Sequence, residues 1–216
     1  AATLADRGRH HVCLLDLDLT FGDVAIASNS SPPAPSPTRP LNGAIDSTAV
    51  AAMLTHHSAG LSAIVAPTEP SAADTIHPTL ITHLLTVLRT DFDYIVIDTP
   101  AAFNDQVLAA LDDTDLITLI VTPDVPALKT LKITLETLLE LSYPKDKFRL
   151  VLNRSDSRVG ISHTEIEKTA NLPITAHIPS SRDVPATTNR GVPITQDDPK
   201  HPVSTSIQKF AETQIP

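Results

Sequence analysis

What the sequence lacks narrows it first. It has no tryptophan in 216 residues, and aromatics make up only 3% of it, so its core has to be built from Leu, Ile, Val and Ala. That length suits a single domain spanning residues 1–216 with a core of its own. The one cysteine, Cys13, excludes a disulfide within the chain and fits a reducing, cytoplasmic setting. Because Cys13 lies inside an apolar run, it reads as a small buried hydrophobe rather than a catalytic thiol. The 16 basic residues contain no run of three and face 25 acidic ones; a net charge of −9 excludes the clustered footprint of a nucleic-acid binder. No stretch approaches the roughly 20 apolar residues of a bilayer span, and no signal peptide precedes the first apolar run. The only methionine is Met53, so an upstream segment is expected. GxSxG, HExxH and CxxC are absent, and the lack of GxGxxG counts against dinucleotide oxidoreduction. The nine histidines include no helical pair at metal-ligand spacing with an acidic partner, and are expected at the surface.

What is present is an alternation. VCLLDLD (12–18), LSAIVAP (61–67), DYIVIDT (93–99), LITLIVT (116–122), FRLVLNR (148–154) and ITAHIPS (174–180) have strand length and are apolar throughout, as parallel strands covered on both faces are. Helices are expected between them at 47–57, 74–89, 104–112, 126–141, 162–170 and 203–212. In the fourth, Leu128, Leu131, Leu135, Leu138 and Leu139 are expected on one face, with Pro126 in the first turn. The result is an α/β domain with a doubly wound, mostly parallel sheet, whose ligands bind beyond the carboxyl ends of its strands. SPPAPSPTRP (31–40), with five prolines, reads as a flexible surface loop.

Polar groups gather at those strand ends: Asp16 and Asp18, Asp98 and Thr99, Asp124, Asn153 and Arg154, Ser180 and Ser181. DYIVIDTP has the form of a Walker B strand, in which four apolar residues deliver a carboxylate that holds Mg²⁺ through water. LLDLDLTFGD brings two more carboxylates to the same side, and three acids without a counter-ion repel, which implies a cation or a basic ligand. A phosphate loop of the GxxxxGK[ST] type would complete such a site. Gly8, Gly22, Gly43, Gly60, Gly160 and Gly191 are followed by Arg, Asp, Ala, Leu, Ile and Val, so no Gly-Lys pair occurs in these residues.

Taken in order, LLDLDLTFGDVAI, DYIVIDTPAAFNDQVLAALDDTDLITLIVTPDVPALKTLK, RLVLNRSDSRVGIS and HIPSSRDVPATTNRGVPI resemble the MinD/ParA group of deviant-Walker P-loop ATPases (SIMIBI class), and within it the CpaE/TadZ branch of Flp (tight-adherence) pilus assembly. The resemblance implies ATP and Mg²⁺ as cofactors. It gives Asp16 a place in the Mg²⁺ shell, Asp18 the orientation of the attacking water and Asp98 the Walker B role as both catalytic and metal-side acid. Thr99 and Pro100 would open switch II. Asn153 would bond the adenine edge beside Arg154, Pro179 to Asp183 (Ser181 included) would wall the base, and Asp124 would reach ribose across a dimer. As supplied, the chain is expected to be N-terminally truncated, missing a central first strand and its Walker A loop, and therefore marginal in stability and inactive. The expected partners are a second copy and pilus-secretion proteins, with a cytoplasmic or peripheral inner-membrane location through a partner, because the tail STSIQKFAETQIP lacks a basic amphipathic helix. A pseudo-ATPase scaffold and a MinD-like regulator of septum placement are the alternatives.

Overall fold

The structure, a computed structural model, describes residues 1–27, 46–67, 73, 75–157 and 161–216. The proline-rich stretch 31–40 lies outside them. The described chain forms two compact units: residues 1–114 with 185–196, and residues 115–184 with 197–216.

The first unit is built on a four-stranded sheet. Its strands are β1 (Val12–Asp16), β2 (Thr55–Ser58), β3 (Leu61–Ile64) and β4 (Tyr94–Asp98), in the order β2-β3-β1-β4. β1 runs parallel to both β3 and β4. Its two-residue period is visible in the packing. Cys13 and Leu15 join one cluster with Ile81, Leu84, Leu85 and Leu88, while Val12 joins another with Ala5 and Leu61. Ile81, Leu84, Leu85 and Leu88 mark the apolar stripe of the helix Pro78–Asp91, which begins with its proline in the first turn. Ile95 and Ile97 pack on the first cluster and Tyr94 and Val96 on the second, so β4 is also covered from both sides.

One expectation fails here. The helix read over 47–57 stops at Met53, and Thr55–Ser58 form an antiparallel edge strand on β3. The physical reason is the turn: Gly60 sits at φ +78, a conformation that costs glycine nothing, and it folds the chain straight back. The Thr-His-His run has weak helix propensity and does not oppose this. Nor are all histidines on the surface, since His57 is partly buried and its Nε2 has no hydrogen-bond partner among the described residues.

The second unit carries β5 (Ile117–Val121), β6 (Phe148–Asn153) and β7 (Ile174–Ile178), all parallel, in sequence order. The helix Val125–Glu140 packs on β5 and the helix Pro202–Gln214 on β7. Leu131, Leu135 and Leu138 are buried, but Leu139 is 41% exposed, one step off the face expected of it. β5 is buried on one side only: Ile117, Leu119 and Val121 point inward, whereas Ile120 is 68% exposed. Among the described residues, β4 pairs with β1 alone and β5 with β6 alone. No helix among them is long and apolar enough to cross a membrane.

Candidate functional site

In the first unit, parallel pairing puts two carboxylates at one level. Asp16 and Asp98, the last residues of β1 and β4, are register partners. Just beyond them the Leu17 N–H donates to the Asp98 carbonyl at 2.8 Å, which holds the strand ends together. The chain then loops back over Asp16, whose residue is only 2% exposed. Asp16 Oδ1 accepts the Asp18 N–H at 3.0 Å and Oδ2 accepts the Val24 N–H at 3.4 Å. Gly22 lies against the same carboxylate, and a Cβ there would sit 2.7 Å from Asp16 Cγ. Asp18 Oδ1 in turn accepts the Phe21 N–H at 3.1 Å, forming a turn that leaves Phe21 80% exposed.

Negative charge is concentrated here. Burial pushes the Asp16 carboxyl up; its two backbone hydrogen bonds pull down, and the charges of Asp98 and Asp18 push up again. Asp98 is also raised, first by desolvation of its carboxyl and then by Asp18 and Asp23, with the Thr99 N–H acting against them. Asp98 is nonetheless exposed as a residue, so the neighbouring charges are the sturdier of the two causes. The structure thus brings Asp16, Asp18 and Asp98 into one electrostatic group and adds Asp23. Thr99 and Pro100 follow directly, ahead of Asn104, which caps the helix Asp105–Asp112 through the Val107 N–H at 2.9 Å.

All these donors are hard oxygens, the kind Mg²⁺ takes. Among the described residues, however, no three acidic, histidine or cysteine side chains converge to hold a metal by themselves. That combination suits Mg²⁺ held by one or two carboxylates with water and substrate phosphates, rather than in a protein cage.

The second unit gathers the remaining expected residues. Asp124 is the N-cap of the helix Val125–Glu140, accepting the Ala127 N–H at 2.9 Å and the Thr122 hydroxyl. The Thr122 hydroxyl first, then the Ala127 N–H and the nearby Arg154, hold its carboxyl below the usual range. Asn153 ends β6, and its Oδ1 accepts the N–H of Arg154, which sits at φ 52. The following turn is sewn to the end of β7: Ser155 N–H donates to the Ile178 carbonyl at 2.9 Å, and Ser180 N–H to Asp156 Oδ1 at 2.7 Å. Pro179, Ser181 and Asp183 continue from that seam, with Ser181 Oγ accepting the Asp183 N–H at 3.0 Å.

His201 completes this corner. Its Nε2 lies 3.3 Å from both Ser181 Oγ and Asp183 Oδ2. The arrangement is not a catalytic triad. His201 Nδ1 accepts the Val203 N–H at 3.1 Å, so in the neutral ring Nε2 carries the hydrogen and cannot take one from Ser181. Sequence reasoning passed over Gly22, Asp23, Asp156 and His201. Only His201 had a local signal, as a polar residue directly before a proline that opens a helix.

No family model matches the chain. Two curated relatives do, both septum site-determining MinD proteins. That of Thermotoga maritima is 27% identical over 108 residues, 48% of this chain and 40% of the relative. That of Helicobacter pylori is 30% identical over 125 residues, 53% of this chain and 47% of the relative. The chain thus matches less than half the length of either. Among solved structures, a ParA family ATPase from Chlorobium tepidum superposes with a TM-score of 0.85 at 24% identity, covering 99% of this chain and 90% of that one. MinD of Pyrococcus horikoshii, complexed with Mg-ADP, gives 0.78 at 19% identity over 97% and 85%. A chain of the MinC:MinD cell division protein complex of Aquifex aeolicus gives 0.75 at 20% identity over 98% and 85%. The chain therefore has the α/β fold of the MinD/ParA P-loop NTPases.

Proposed function

We propose that this chain supplies the carboxylate edge that faces Mg²⁺ and the attacking water, and the base-side loops, of a MinD/ParA-type ATPase that positions a cellular structure. The observation that carries the reading is the register pairing of Asp16 with Asp98, beside Asp18, at the carboxyl edge of a sheet with this fold. Asp98 is the Walker B acid and faces the metal. Asp18 orients the water, and Thr99 and Pro100 open the segment that responds to the nucleotide. In the second unit, Asn153, Arg154, Pro179, Ser181 and Asp183 are assigned to the base, and Asp124 to ribose through a second copy. Bound Mg²⁺ would supply charge neutralisation at the phosphates.

The two relatives reported above are septum-site proteins, which favours a septum-positioning role over pilus assembly. A partner protein and a nucleotide-dependent second copy fit this role, with membrane contact made through the partner. The test is ATP·Mg²⁺ turnover by the complete gene product, alongside Asp98→Asn. Turnover whose Mg²⁺ requirement rises in the variant supports the reading. Mg²⁺-independent turnover overturns the metal-side assignment, and no turnover in the parent leaves the scaffold alternative.

A further inference from the structure

The Leu17–Asp23 loop is organised around one side chain. Asp16 is buried to 2% exposure, and each of its oxygens accepts a backbone N–H from one end of the loop, Asp18 near its start and Val24 just after it. A carboxylate used this way is well suited to fastening chain, because charge-assisted bonds to amides are the stronger kind. The fastening has a steric condition. Gly22 presses its backbone on the carboxylate, and any Cβ would lie 2.7 Å from Asp16 Oδ1 and Cγ, closer than real Cβ contacts come. The obstacle is not the far end of a flexible side chain that could swing aside, since Asp16 is pinned by two bonds. Asp18, the residue so placed, makes its own turn onto Phe21 through Oδ1.

The geometry points to Asp16 and Gly22 as a post and socket that set the position of Asp18: Asp16 is a positioning residue rather than a ligand to the metal, and Gly22 is required because it admits the carboxylate. This rests on the ATPase reading for the role of Asp18, but the post itself does not.

The experiment is amide hydrogen exchange on the complete gene product without nucleotide, for the parent, Gly22→Ala, Asp16→Asn and the control Phe21→Ala. Asp16→Asn keeps one carbonyl acceptor and turns an NH₂ toward the other amide, so it is the conservative probe. In Gly22→Ala the Asp18 and Val24 amides, and in Asp16→Asn whichever of the two faces the NH₂, should exchange roughly 2- to 10-fold faster, the loss of one ordinary hydrogen bond. The β1 and β4 amides should keep their protection, and Phe21→Ala should match the parent. In turnover assays both variants should lower kcat while leaving the Mg²⁺ concentration for half-maximal rate unchanged. Unchanged exchange at Asp18 and Val24 overturns the proposal. So does loss of protection along all of β1, or a shifted Mg²⁺ requirement in Asp16→Asn with the two amides still protected. A parent that hydrolyses no ATP removes the ATPase reading alone, because exchange still decides the post.

Discussion

Replacing Asp98 by Asn should stabilise the protein while removing the function proposed for it. Asp98 and Asp16 both titrate above the ordinary 3.8, so the native state holds more protons than the unfolded chain just above that value. Their contribution to stability is therefore fully present below the unfolded value and lost as pH rises through the raised native ones. In EDTA at pH 7, Asp98→Asn should melt above the parent, and the difference should vanish toward pH 3, where both side chains are neutral. Equal melting temperatures at pH 7 would mean that the carboxylates do not repel. Asp124, Asp156 and Glu165 run the other way: hydrogen bonds from Thr122, Ser180 and Ser162 lower them, so their support is present above the ordinary carboxylate range and lost as pH falls through the lowered values. At this scale the sequence was informative about Asp16, Asp18 and Asp98, because an acid after an apolar strand is a local pattern. It was silent on Gly22, whose importance is a contact with a side chain six positions earlier, and on Asp23, which matters through its distance from Asp98.

Among elements, strands and amphipathic helices were legible because their periods are local, and every apolar run expected as a strand contains one. The hairpin was not. Residues 55–58 lack alternating pattern, and they pair with β3 across a turn in which Gly60 sits at φ +78. Gly60→Ala should cost about 1–3 kcal/mol in urea unfolding, since it places a Cβ 2.8 Å from Gly8 Cα in a left-handed conformation. A loss below roughly 0.5 kcal/mol, the range of an ordinary surface change, would contradict the turn. The face of the helix Val125–Glu140 provides a paired check. Leu138→Ala, at 1% exposure, should cost about 2–5 kcal/mol, whereas Leu139→Ala, at 41%, should stay within about 0.5 kcal/mol. Comparable losses would restore the broader leucine face expected from spacing.

For the whole molecule, the edges of β4 and β5 that carry no strand among the described residues set the expectation. Each lacks a strand partner on one side among the described residues, and Ile120 adds an exposed apolar side chain on β5. Such edges invite association. The 216-residue chain should therefore scatter light increasingly with concentration. Monodisperse behaviour across concentrations would contradict this. The fold class was legible from the alternation of strand and helix, but the division into two units was not, because it depends on which strands pair. Whether Asp18 acts on the attacking water is decided by Mg²⁺-dependent ATP hydrolysis measured on the full-length protein and on its Asp18→Ala variant. Turnover is expected in the parent, and in the variant a loss of at least roughly a hundredfold, the low end for removing a group that assists the attacking water. Hydrolysis by Asp18→Ala at the parental rate would contradict it.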